Sequence, residues 1–253
     1  MRLITHGATD PGRKRANNED AYLLDDRLCL YAVADGVGGF EGGEIASRIA
    51  VDTLGEAMPD LLGDKDRTPP AGNSSGTGAE LTALRSAFTL ANRTIRAVVG
   101  KTHGLAGMGT TLTALLLAKK RAYLAHIGDS RAYLFRSGEL IQMTNDHSVV
   151  AEQVRAGLLT AGEARSSPYR HVITRALGIV DDAAPDLVER PVQANDTFLL
   201  CSDGLTEMVD DVGIRRVLSR PSPAEAVKKL IEAANSRGGV DNITAVVVQV
   251  LEV

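Results

Sequence analysis

Leu28-Cys29-Leu30-Tyr31-Ala32-Val33-Ala34-Asp35-Gly36-Val37-Gly38-Gly39 is the stretch on which the reading of this chain turns. Its apolar run from Leu28 to Ala34 suits a β-strand covered on both faces, and it ends on a carboxylate followed by glycine. A carboxylate at the end of a buried strand is costly to desolvate without a partner. A single Asp-Gly is an ordinary turn dipeptide, but here the arrangement recurs. Ser202-Asp203-Gly204 follows Phe198–Cys201, Asp241-Asn242 precedes Ile243–Val250, Glu19-Asp20 opens another strand-like segment, and Gly128-Asp129-Ser130 interrupts one more. Acids tied to so many strand ends predict carboxylates gathered at one rim of a sheet. Carboxylate and carbonyl oxygens converging without Cys or His form the ligand set of Mg²⁺ or Mn²⁺. A metal-dependent enzyme is the first expectation.

Outward from that stretch, residues 2–9 and 20–37 read as strands. A helical pattern at about 42–61 carries Ile45, Ile49, Leu54, Ala57, Met58 and Leu61 at threes and fours. Residues 63–78, rich in Gly, Pro and Ser, read as a flexible loop. A second helix follows at 79–99, with Leu81, Leu84, Phe88, Ala91, Ile95 and Val98 on one stripe. Strands are expected at 109–118, 120–127, 130–136, 186–192, 196–202 and 242–251, and helices near 204–218 and 223–235. Residues 144–180 mix short helical patterns with polar and Gly-containing pieces, and read as an inserted flap subdomain. Strands come in adjacent runs and helices in pairs, which predicts an α+β fold of antiparallel sheets with helices packed outside.

The chain of 253 residues is expected to form one domain, 1–253. A net charge of −4 argues against a nucleic-acid binder, and the basic run Arg13-Lys14-Arg15 is long enough to meet only one anionic group. Cys29 and Cys201 lie inside apolar runs and are expected as reduced core residues, as suits a cytosolic protein. The first residues lack an apolar stretch of signal-peptide length, and no run approaches the roughly 18 residues of a membrane span. A soluble cytoplasmic protein is the expectation.

Taken in order, the motifs are Asn17-Asn18-Glu19-Asp20, Val33-Ala34-Asp35-Gly36-Val37-Gly38-Gly39, Gly109-Thr110-Thr111, His126-Ile127-Gly128-Asp129-Ser130-Arg131-Ala132, Leu200-Cys201-Ser202-Asp203-Gly204-Leu205 and Asp241-Asn242-Ile243-Thr244. The ordered set resembles the bacterial metal-dependent protein Ser/Thr phosphatases of the PPM (type 2C) family, from about residue 5 to 250. The resemblance implies a four-layer αββα sandwich, two antiparallel sheets flanked by helices, with two Mn²⁺ or Mg²⁺ ions at one end. It implies that Asp35 bridges the metals, that Gly36 offers its carbonyl, and that Asp203 and Asp241 are further ligands. Glu19 and Asp20 would hold metal-bound waters, Arg15 would clamp the substrate phosphate, and Asp129 with Asp203 would form a third, weaker metal site.

Chemistry supports these roles separately. Two metals about 3.5–4 Å apart can ionise a bridging water for in-line attack on a phosphate monoester, with no covalent phosphoenzyme. Arg suits the phosphate better than Lys because its fork matches a phosphate edge. Cys201 has no basic neighbour in sequence to make it a nucleophile. Many eukaryotic relatives carry His directly after the bridging Asp-Gly; Val37 stands there in this chain, so the general acid is open between a metal-bound water and His126, His147 or His171. Asp129 reads nearly as well as a hairpin turn, and Asp241-Asn242 as the turn into the last strand. Gly38, Gly39, Gly42 and Gly43 lack the Gly-Lys-Ser/Thr of a nucleotide loop, and Arg175 reads as a structural residue at the flap base.

The leading expectation is a monomeric phosphatase acting on phosphorylated Ser/Thr proteins and opposing a cognate Ser/Thr kinase, without nucleic-acid or membrane partners. The runner-up is a catalytically inactive PPM-fold binding or sensing module, disfavoured because Asp35, Asp203 and Asp241 are all present. A phosphodiesterase or nuclease is disfavoured by the acidic balance.

Overall fold

The structure, a computed structural model, describes residues 1–38, 42–63, 78–100, 105–219 and 222–253. The chain runs β1 (Arg2–Asp10), β2 (Asp20–Asp25), β3 (Leu30–Val37), α1 (Gly42–Gly63), α2 (Ala79–Val99), β4 (Gly109–Thr110), β5 (Leu112–Ala118), β6 (Arg121–Ile127), β7 (Arg131–Arg136) and β8 (Glu139–Gln142). It continues through α3 (Val149–Arg155), α4 (Ala161–Ser166), β9 (Asp186–Pro191), β10 (Thr197–Cys201), α5 (Asp203–Thr206), α6 (Asp211–Leu218), α7 (Pro223–Ser236) and β11 (Ile243–Glu252). One sheet has the order β1-β11-β10-β7-β8, the other β2-β3-β5-β6-β9, with β4 added to β3. Every pairing is antiparallel.

Three apolar layers explain why the central strands are hydrophobic throughout. Along β3, Leu30, Ala32 and Ala34 face the layer under α1 and α2, while Tyr31 and Val33 face the other sheet. Along β11, Val246, Val248 and Val250 meet that same middle layer, and Ala245 and Val247 face α5 to α7. Side chains alternate across a strand, so a strand with helices on one side and a sheet on the other needs apolar residues at every position. The result is the four-layer αββα sandwich.

Several local expectations need correction. Cys29 is not a strand residue: it occupies a turn with φ +53°, and β3 starts one residue later. The Asp25 carboxylate accepts the Leu28 N–H at 2.9 Å and builds that turn. Cys201 is buried as expected, and both thiols are free. Gly128-Asp129-Ser130 is not a hairpin, because β6 and β7 belong to different sheets. The segment at 109–118 divides at Thr111 into β4 and β5, and that at 204–218 divides where Asp210 caps α6. Strand β8 escaped the pattern because it is a short, largely exposed edge. The loop expected at 63–78 and Gly39 lie outside the described residues, apart from Gly63 and Gly78.

Candidate metal centre

Asp35 stands at the end of β3, and the Gly109-Thr110-Thr111 segment grips its backbone. Its N–H donates to Thr111 Oγ1 at 2.9 Å, and its carbonyl accepts from both the Thr111 N–H and the Thr110 hydroxyl at 2.9 Å. The next residue must be glycine. A Cβ on Gly36 would lie 2.1 Å from the Gly43 carbonyl oxygen and 2.7 Å from that of Glu19. The chain there threads between the start of α1 and the start of β2, and the Gly36 N–H donates to the Glu19 carbonyl at 3.1 Å.

Asp20 faces Asp35 across the β2–β3 ladder. Ser202 and Thr244 donate their hydroxyls to its Oδ2 at 2.7 and 2.6 Å. Asn242 fastens the preceding loop: its Oδ1 accepts the Glu19 N–H at 2.8 Å, and its amide donates to the carbonyls of Asn17 and Pro11 at 2.9 and 3.1 Å. Four chain segments distant in sequence therefore meet at one end of the sandwich, through Glu19-Asp20, Asp35-Gly36, Ser202-Asp203 and Asp241-Asn242.

The carboxyl groups so assembled crowd one another. Burial first, then the charges of Asp20, Asp203 and Asp129, hold the Asp35 carboxyl well above the usual carboxylate range. Burial and Asp241 raise Asp203, while a hydrogen bond shared with Asp35 opposes that rise. Burial, then Asp203 and Asp146, raise Asp129. Asp20 is pushed up to about 7, chiefly by burial and against its two hydroxyl donors. Arg15 reaches the group from outside; its Nη2 donates to Asp241 Oδ2 at 2.7 Å, and the side chain is 54% exposed. Asp20, Asp35, Asp129, Asp203 and Asp241 thus interact as one group, the Glu19 carboxyl meets it through Asp241, and Arg15 stands at its rim.

That donor set fits a hard divalent ion. The buried Asp20 Oδ1 has no hydrogen-bond partner among the described residues. An unpaired carboxylate oxygen beside acids that are difficult to ionise together is costly, and a cation or its bound water removes the cost. The acids of the cluster offer oxygen ligands, as Mg²⁺ and Mn²⁺ prefer.

The three histidines separate clearly. His126 is buried, with Nδ1 2.9 Å from Thr113 Oγ1 and Nε2 3.1 Å from the Asn145 carbonyl; burial pulls it down to about 3, so it is neutral. His147 is buried against it, ring centroids 4.8 Å apart. His171 differs: its side chain is 47% exposed, Nδ1 lies 2.8 Å from Glu207 Oε1, and its nearest ligand atom is within 4.8 Å of those of Asp203 and Glu207. Burial, with Asp203 next in strength, pushes Glu207 up to about 7. Burial pushes the Cys201 thiol up to about 12, which leaves it inert as a nucleophile. Arg175 donates to Asp186 Oδ1 at 2.8 Å and to the Ala184 carbonyl, and its Nη1 lies 2.8 Å from His147 Nε2, an anchor at the flap base.

Sequence reasoning did not single out Ser202, Thr244, Asn242 or Glu207 individually, and gave Thr110 and Thr111 no role. Each is adjacent or near in sequence to an acid of the cluster or belongs to a quoted motif, which is the signal available for finding it.

Comparison with known proteins agrees with the geometry. The family model described as Protein phosphatase 2C matches residues 12–246. The serine/threonine protein phosphatase PstP of Mycobacterium tuberculosis is 42% identical over 244 residues, 96% of this chain. This chain spans 44% of that relative's length. The serine/threonine phosphatase stp of Listeria welshimeri is 38% identical over 246 residues, covering 95% of this chain and 93% of its own. The crystal structure of the catalytic domain of PstP in complex with two manganese ions superposes with a TM-score of 0.83 at 40% identity, over 99% of this chain and 100% of that one. Among the described residues, no helix is long and apolar enough to cross a membrane.

Proposed function

The chain belongs to the protein phosphatase 2C family, and on that premise we propose that it is a Mn²⁺- or Mg²⁺-dependent phosphatase of phosphoserine and phosphothreonine in proteins. The observation that carries this reading is the meeting of buried Asp20 with the partly buried Asp35, Asp129 and Asp203 in one group whose carboxyls are all raised. A protein gains no stability from such a cluster; a metal-dependent activity accounts for it.

In this reading Asp35, the Gly36 carbonyl, Asp203 and Asp241 would hold two ions, and Asp129 with Asp203 would hold a third more weakly. When bound, such ions acidify a water and neutralise charge on the phosphoryl oxygens. The rest falls to the chain. Glu19 and Asp20 would accept from waters around such ions, and Ser202 and Thr244 fix Asp20 in place for that task. Arg15 is held at the rim by Asp241, where its fork suits two phosphoryl oxygens and its exposure leaves it open to substrate. Of the three histidines, burial withdraws His126 and His147, which leaves His171 as the side chain placed to protonate the leaving alkoxide, with a metal-bound water as the other source. A cognate Ser/Thr kinase and its substrates are the natural source of phosphoproteins for such a site, acting here as a monomer in the cytoplasm.

The test is hydrolysis of a phosphothreonine peptide with Mn²⁺, with EDTA, and by Asp203→Asn. The expected result is activity that requires metal and falls in the variant by more than the roughly 10–100-fold typical of losing an outer partner. Folded protein that hydrolyses nothing with any metal would support the inactive binding module instead.

A further inference from the structure

We propose that His147 is a positioning residue for Asp129, and that through it the base of the flap sets the affinity of the weaker cation site. The proposal rests on the reading of Asp129 as a ligand of that site. Asp129 sits on the three-residue link that carries the chain from β6 in one sheet to β7 in the other. The link begins at Gly128, whose φ of +109° is a conformation that favours glycine. A Cβ there would also lie 2.4 Å from the Thr111 side chain. The most pliable residue type therefore stands directly before an acid that Asp203 and Asp146 repel. Left to itself, the link would relax away from the cluster.

Both backbone polar groups of Gly128 end on His147. The Gly128 N–H donates to the ring Nδ1 at 3.0 Å, and the His147 N–H donates to the Gly128 carbonyl at 2.7 Å. Because Nδ1 accepts, the ring proton belongs on Nε2, which lies 3.1 Å from Asp186 Oδ2 and 2.8 Å from Arg175 Nη1; the guanidinium can only donate, so Asp186 is the acceptor of that proton. Arg175 holds the other oxygen of Asp186 at 2.8 Å. The His147 carbonyl in turn accepts the Thr174 N–H at 2.8 Å. Residues 145–148 and 173–175 thus close on the ring from the two ends of the flap, and the ring passes that constraint to the peptide before Asp129. A side chain kept only for packing would need none of this orientation; the Gly128 N–H fixes the tautomer, and Asp186 with Arg175 holds the far edge of the ring.

Mn²⁺ binding to the full chain, followed by titration calorimetry, separates the outcomes. Wild type is expected to show tight sites and a weaker one, and Asp129→Asn to lose the weaker one. His147→Leu should weaken that site by about 10–100-fold, the usual cost of an outer-shell loss, and leave the tight sites within about threefold. His147→Asn, whose Oδ1 can still accept from Gly128, should recover most of the loss. Asp186→Ala frees the ring without opening the core, should act in the same direction, and decides the matter if His147→Leu does not fold. An intact weaker site in His147→Leu, or in Asp186→Ala where Leu does not fold, overturns the proposal while the Asp129 reading stands. Equal losses at every site in Leu and Asn, a general loosening, also overturn it. Unchanged binding by Asp129→Asn removes the premise, and the inference with it.

Discussion

His171 reaches the acid cluster from the flap, and its pairing with Glu207 places an imidazole beside Asp203. A proton donor matters in proportion to how poor the leaving group is, and such catalysis is worth about 10²–10⁴-fold. His171→Gln is therefore expected to slow hydrolysis of a phosphothreonine peptide by about 100-fold or more, while p-nitrophenyl phosphate, whose leaving group needs no proton, changes little. Equal losses on both substrates would remove the acid role. The sequence offered three histidines and no means of choosing, because the choice depends on burial. His126 lies in an apolar strand and points into a polar interlayer that only the fold creates. The acids were legible, since a carboxylate at a strand end stands out against apolar neighbours. Their neutral partners were not: Ser202, Thr244 and Asn242 carry no charge pattern, and their value lies in donors and acceptors whose direction the backbone sets.

At the scale of elements, the irregular flap at 144–180 is the kind of segment that often carries substrate selectivity, and it is tied to the site twice, which decides how that role is tested. Leu177 exchanges two backbone hydrogen bonds with Thr110, beside Asp35, and His147 holds Gly128. Deleting the flap would loosen both links and confound substrate choice with metal binding. Its outer face is free of that problem: Leu158 and Tyr169 are 73% and 61% exposed. Replacing both with Ser is expected to change kcat/KM ratios among phosphopeptides by about tenfold, the size of a lost apolar contact, with aryl phosphate hydrolysis unaltered. Ratios that do not move would assign selectivity elsewhere. Element types and rough bounds were legible here, because α2 shows a single apolar stripe and β10 an unbroken apolar run. Sheet membership was not. β6 and β7 are both rich in buried apolar residues and separated by three residues, and nothing in either pattern reveals that the chain changes sheets between them.

For the whole molecule, the carboxyl cluster makes stability depend on pH and metal together. Asp20, Asp35, Asp129 and Asp203 all have folded-state values above their ordinary range, Asp20 at about 7. Between the usual carboxylate range near 4 and that raised value, the unfolded chain has released protons that the folded one keeps. The unfolded state then binds fewer protons, and stability falls as pH rises. Buried His126 and His147, both lowered, act in the opposite sense below about pH 6.5, but the raised acids outnumber them, so metal-free protein is expected to lose melting temperature from about pH 5 to pH 7. Mn²⁺ displaces those protons, so its stabilisation should be smallest at the acid end and largest near pH 7 to 8. At about 100 times its dissociation constant a ligand adds about 2.7 kcal/mol. In a chain of this size that corresponds to a rise of roughly 5–10 °C. Thermal melts with EDTA and with Mn²⁺ across that range check the sign directly. A metal-free melting temperature that rises with pH would mean that the acids are already compensated within the fold, and the case for metal as their partner would fall with it.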